Sequence, residues 1–130
     1  MPGSLGSMEV LVLLAHGSRA DAALEAHREL AGVVASATGQ TVRPAFLEMA
    51  QPDLPSVIDA AAGDGATQII VLPHFLAPGH HVGRDIPALV ETARDRHPDL
   101  TITLADHTGS RPEMFRTVVA AARSATSSDS

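Results

Sequence analysis

The chain has 130 residues, 45% hydrophobic and 18% charged, with a formal charge of −6, three Phe and no Trp or Tyr. This is enough for one domain that buries roughly two-thirds of its unfolded surface, and its Ala, Val, Leu and Ile content favours a packed α/β or α domain over disorder. The absence of cysteine excludes disulfides and thiolate metal sites; the acidic balance without a Lys/Arg cluster argues against nucleic acid, and no apolar run reaches the roughly 20 residues that cross a bilayer, so a cytoplasmic protein is expected.

The opening "MPGSLGS", residues 1–7, reads as a cloning remnant. "EVLVLLA" (9–15) is an almost unbroken apolar run, the pattern of a strand covered on both faces. It ends at His16-Gly17-Ser18. Leu24, Leu30, Ala31 and Val34 then recur at helical spacing, with Gly39 as the stop. Ser18 with Arg19 offers anion contacts at a helix start, while Ser-x-x-Asp (18–21) also reads as ordinary capping.

"TVRPAFL" (41–47) alternates and carries Pro44, which suits an edge strand because proline cannot donate to a ladder on both sides. Glu48 follows it. Leu54, Val57, Ile58, Ala61 and Ala62 form one helical face. "TQIIVLP" (67–73) is a second dense apolar strand that runs into Pro73-His74. From 82 to 96, Val82, Ile86, Leu89, Val90 and Ala93 make another helical stripe, in which Pro87 is expected in the first turn, where its missing N–H costs nothing. "LTITLAD" (100–106) alternates again, and Phe115, Val118, Val119 and Ala122 mark a last helix before a polar tail at 125–130. The domain is therefore expected over 8–124.

Four strands alternating with four helices imply right-handed crossovers and a four-stranded parallel sheet with helices on both faces. The two apolar-rich strands belong at the centre and the other two at the edges, giving the order 2-1-3-4. Ligands of such sheets bind beyond the carboxyl ends of the strands, at the switch point between strands 1 and 3.

The residues just past the strands are His16, Glu48, His74 and Asp106-His107, and five of the seven histidines (16, 74, 80, 81 and 107) fall in post-strand loops. Imidazoles suit Co, Ni, Fe or Zn ions and accept protons near neutral pH. Few ligands with open positions fit a metal in transit better than a closed structural site. His74 and His107 are expected to pack or bond locally, one of His80 and His81 to face solvent, and His27 and His97 to be solvated helix residues.

Three blocks, "LLAHGSR", "AFLEMAQPDLPSVI" and "IIVLPHFLAPGHHVGRDIP", together with the "TG" at 108–109, resemble the short class II chelatases of the sirohydrochlorin cobaltochelatase (CbiX) family. The resemblance implies a chelatase-like α/β fold and ATP-independent insertion of a divalent metal into sirohydrochlorin for cobalamin biosynthesis. Cobalt is the expected metal, with iron or nickel and a related tetrapyrrole as the alternative. It also implies no organic cofactor, and a homodimer, since longer relatives join two such units. The family's catalytic histidines map onto His16 and His81, also the metal ligands, and its acidic position onto Glu48. Ser18, Arg19 and Arg84, with Arg111, are candidates for the substrate carboxylates. His74 and Thr108 depart from the family pattern. The rival classes are a metal-binding or delivery protein without turnover and a histidine phosphatase; the phosphatase wants Arg directly before the histidine, and Ala15 stands there.

Overall fold

A computed structural model describes residues 7–127. In chain order the elements are β1 (Glu9–Ala15), α1 (Asp21–Thr38), β2 (Thr41–Phe46), α2 (Leu54–Gly63), β3 (Gln68–Pro73), α3 (His80–Arg96), β4 (Thr101–Leu104), a short 3₁₀ turn (Thr108–Ser110) and α4 (Pro112–Ser127). All strand pairs are parallel and the sheet order is β2-β1-β3-β4. The expected topology is thus present, with Pro44 on the edge strand paired only to β1. Among the described residues no helix is long and apolar enough to cross a membrane.

Strand period two divides the core between the sheet faces. Val10, Val12 and Leu14 of β1, with Ile69 and Val71 of β3 and Ile102 of β4, point to one face, where Leu54, Val57 and Ile58 of α2 and Val82, Ile86 and Val90 of α3 cover them. Leu11 and Leu13 point to the other and are buried there, where His27 of α1 reaches the Leu13 carbonyl. Their partners on β3, Ile70 and Leu72, are only half-buried. This face is closed over β1 and β2 and half open over β3 and β4.

Five expectations are corrected. Pro87 lies inside α3, in its second turn, because the helix starts at His80 behind Gly79 instead of at the first apolar residue, Val82. The ring leaves the Gly83 carbonyl without its i+4 donor. Ser18 does not cap α1: Ala20 holds that position, and Ser18 Oγ accepts from the Ala20 amide at 3.0 Å. The segment read as a tail from 125 is helical through Ser127. His27 is not solvated: it faces the sheet in register with Leu24, Ala31 and Val34 and is buried, its Nε2 donating to the Leu13 carbonyl at 2.9 Å. His97 likewise is half-buried at the end of α3 and bonds Asp59 at 2.7 Å.

Candidate active site

Parallel pairing continues past the ends of β1 and β2. The Leu47 amide donates to the Ala15 carbonyl at 2.9 Å and the Glu48 amide to the His16 carbonyl at 3.0 Å. Those two bonds fix the first and second post-strand loops side by side. Such an approach demands glycine at 17: its φ is +113°, and a Cβ there would lie 1.8 Å from the Glu48 carbonyl oxygen. As a result His16 Nε2 stands 3.6 Å from Glu48 Oε2, each side chain half exposed. An exposed pair at that separation contributes little to stability; the bonded backbones beneath it set the two side chains at one place on the rim.

The third and fourth loops are joined by the same device. A Cβ on Gly109 would lie 1.8 Å from the Leu76 carbonyl oxygen. The Gly109 amide donates to the Phe75 carbonyl at 3.0 Å, and the Thr108 hydroxyl reaches the same carbonyl at 3.3 Å. His74 Nδ1 is 3.0 Å from Thr108 Oγ1, and the His74 amide donates to the Leu14 carbonyl at 2.7 Å. His74 is therefore a local binder, as expected. The ring of His107 stacks on Phe75 with centroids 5.8 Å apart. These bonds hold His74 and Phe75, where the segment that leads into α3 begins.

His80 and His81 are the first two residues of α3. His80 is exposed; the side chain of His81 lies outside the described residues. Arg19 and Arg84 are exposed, Arg84 being the fifth residue of α3. Among the described residues no three His, Asp or Glu side chains form a group that could hold a metal ion. The structure thus brings His16 and Glu48 together and sets the start of α3 on the same rim of the sheet.

Two features of this rim escaped the sequence reading. One is the pairing of loops by Gly17 and Gly109, for which the only signal was glycine immediately after His16 and Thr108. The other is the His27–His74 pair, whose rings stack with centroids 6.2 Å apart on the half-open face. Burial, with smaller contributions from His74 and Arg28, holds His27 below its usual pKa despite the bond to Leu13. The position of residue 27 on the apolar stripe of α1 was the available signal.

The CbiX family model matches residues 10–125. The chain belongs to the CbiX family. A sirohydrochlorin cobaltochelatase of Methanocaldococcus jannaschii is 40% identical over 91 residues, covering 69% of this chain and 64% of that protein. The chain thus spans less than two-thirds of the length of this curated relative. A CbiX protein from Marinobacter aquaeolei VT8 superposes with a TM-score of 0.80 at 30% identity, over 92% of this chain and 98% of that one. The sirohydrochlorin chelatase SirB from Bacillus subtilis subspecies spizizenii, solved in complex with cobalt, has a TM-score of 0.71 at 25% identity, over 77% of this chain but 43% of SirB. One CbiX unit like this one therefore accounts for under half of the SirB chain.

Proposed function

We propose that this CbiX chain is a cytoplasmic, homodimeric class II chelatase that inserts a divalent metal, cobalt foremost, into sirohydrochlorin without ATP or an organic cofactor. The observation that carries the reading is the His16–Glu48 pair, standing 3.6 Å apart at the carboxyl rim of the sheet in a member of this family. Donor bonds of about 2.0–2.2 Å place two ligands of one ion roughly 3–3.5 Å apart, close to the observed separation. Only a small movement would let imidazole and carboxylate share an ion.

In this reading His16 and His81 hold the incoming metal, and Glu48 assists as ligand or proton acceptor. Each divalent ion inserted displaces two pyrrole N–H protons, and neutral imidazole or carboxylate is the acceptor that a pH near neutrality provides. The macrocycle must bend so that its nitrogen lone pairs tilt toward the ion. Contacts to the peripheral carboxylates from Arg19, Arg84 and Ser18 supply binding energy for that distortion.

The cavity at the carboxyl ends of β3 and β4, between Pro73, Phe75, Ile86 and His107, holds about 210 Å³. That is below the roughly 300–1,000 Å³ of sites that enclose a small organic ligand. A tetrapyrrole must instead lie across the open rim, and a second copy would form its other wall.

The test follows the absorbance of sirohydrochlorin mixed with Co²⁺, Ni²⁺ or Fe²⁺ and with wild type, His16→Ala or His81→Ala. Wild type is expected to exceed the spontaneous rate and both variants to fall toward it. Equal rates in all three proteins reject the assignment, and a wild type no faster than free metal leaves a binding or delivery protein.

A further inference from the structure

We infer that His27 and His74 together hold a second divalent ion of the late transition metals, such as Co²⁺, Ni²⁺ or Zn²⁺, on the α1 face of the sheet and apart from the His16–Glu48 pair. The site goes beyond metal insertion at the rim and does not depend on it.

The two places are on opposite sides of the sheet. His27 and His74 line a groove of about 510 Å³ with Ala23, Ala26 and Leu30 of α1. Glu48 lines a different cavity, with Asp85 and Leu89 of α3, and α3 packs on the face that α1 does not cover.

Each imidazole has its tautomer set by one nitrogen and keeps the other bare. The Leu13 carbonyl can only accept, so His27 Nε2 carries the proton of that 2.9 Å bond and Nδ1 is the bare nitrogen. The Thr108 hydroxyl donates to the Phe75 carbonyl, so its oxygen accepts from His74 Nδ1 at 3.0 Å, and Nε2 is the bare nitrogen there. Among the described residues neither bare nitrogen has a hydrogen-bond partner, while no buried side-chain nitrogen or oxygen lacks one. Both bare nitrogens are therefore open to solvent. A ring whose N–H is held by a carbonyl or hydroxyl while the other nitrogen stays free is the form in which histidine ligates metals.

The spacing fits a shared ion. Nitrogen–metal bonds of about 2.0–2.1 Å put the centres of two imidazoles on one ion roughly 5–6.5 Å apart. Those of His27 and His74 are 6.2 Å apart, with ring planes 15° from parallel, which corresponds to two ring edges meeting one ion at a wide angle. Two protein ligands leave the remaining positions to water, so the ion is exchangeable, and nitrogen donors select borderline ions over Mg²⁺ or Ca²⁺. Arg28, next to His27, lies over the Phe46 ring and pairs with Glu25 at 3.6 Å, which reduces its repulsion of an incoming cation.

The test uses the full chain carrying His16→Ala and His81→Ala, which removes the rim histidines. Titration calorimetry with Co²⁺ measures affinity and stoichiometry, X-ray absorption counts the imidazoles on the bound ion, and circular dichroism checks the fold. One Co²⁺ per chain with two imidazoles is expected. Adding Thr108→Val, which removes only the partner of His74 Nδ1, should weaken binding by about 10-fold; adding His74→Leu should abolish it, and adding His80→Ala should leave it unchanged. No binding to the His16→Ala/His81→Ala chain, an ion with fewer than two imidazoles, or affinity that survives His74→Leu overturns the site. Affinity lost with His80→Ala moves the ion to the start of α3 and overturns it too. The imidazole count is read with residue 74 intact, so it decides the question even where His74→Leu does not fold. Wild type is expected to bind one ion more than the His16→Ala/His81→Ala chain; absence of that extra ion alone counts against the rim and leaves the His27–His74 site standing.

Discussion

Gly17→Ala tests whether the rim is built by the close approach of two loops. The added Cβ would sit 1.8 Å from the Glu48 carbonyl oxygen, where real Cβ contacts almost never fall under 3.0 Å, so the loops must part by about 1.2 Å. Forcing an alanine to keep a φ of +113° costs about 1–3 kcal/mol, and losing the Glu48-to-His16 backbone bond about 0.5–1.5 kcal/mol more. A total of about 2–4 kcal/mol lowers the melting temperature of a domain this size by roughly 8–16 °C. Catalysis should suffer separately, since a displacement near 1 Å between reacting groups is worth about 100-fold in rate. Gly32→Ala is the control: it lies within α1 with nothing within 4 Å of its Cβ, and there alanine should stabilise by about 0.5–1 kcal/mol. Thermal melts and sirohydrochlorin absorbance assays run on both proteins read the two effects. If Gly17→Ala melts within about 2 °C of wild type and inserts metal at the same rate, the loop pairing does not build the site.

His16→Ala should slow metal insertion by about 100-fold or more while leaving the melting temperature within about 2 °C, because an exposed side chain contributes little to stability; initial rates and a melt on one sample check both. Asp53 caps α2 by accepting from the Ser56 amide at 2.9 Å, and hydrogen bonding from the Ser56 side chain, then from that amide, holds its carboxyl below the usual range. Asp53→Ala should cost about 1 kcal/mol, read in urea at pH 7. Because burial lowers the His27 pKa below its ordinary 6.5, the folded chain stays neutral there while the unfolded chain takes up a proton. The contribution of this residue is therefore full above pH 6.5 and is lost as the pH falls through 6.5 toward the lowered value; His27→Gln, compared in urea melts at pH 7.5 and 5.5, should show a smaller loss than wild type. Gly109→Ala, blocked by the Leu76 carbonyl, should destabilise by about 1–3 kcal/mol and slow insertion, measured by the same melt and assay.

The sheet order could be read because each strand advertises its neighbours. A strand buried on both faces has nowhere to place a charge, so "VLVLL" had to be central, and Pro44 can lose a donor only at an edge. Where the reading failed, a residue was judged by type without its place in the period. Histidine looks solvated in a helix, but residue 27 lies on the stripe of Leu24, Ala31 and Val34, and its Nε2–H finds a carbonyl that a buried position must offer. Pro87 was assigned to a first turn because apolar periodicity begins at Val82, whereas the helix begins where its backbone does, two residues earlier. The stripe of α4 was read correctly as a helix face. Its exposure was not legible, because periodicity marks a face suited to burial and is silent about whether the fold buries it.

The two glycines also give a physical reason for the short motifs around them. His16-Gly17 and Thr108-Gly109 look unrelated in sequence, but each glycine lets one post-strand loop press against a carbonyl of the neighbouring one, Gly17 against Glu48 and Gly109 against Leu76. The rim is thereby divided into two stiff pairs, loops one and two on one side of the switch point and loops three and four on the other. His16 and Glu48 belong to the first pair, and the segment that ends at His80-His81 belongs to the second. An ion shared by His16 and His81 would bridge the two pairs across the gap between β1 and β3. Stiff pairs on either side of one gap can grip a metal at a set distance and still release it, because no closed shell of ligands surrounds it. That arrangement suits an ion on its way into a macrocycle better than one kept for structure.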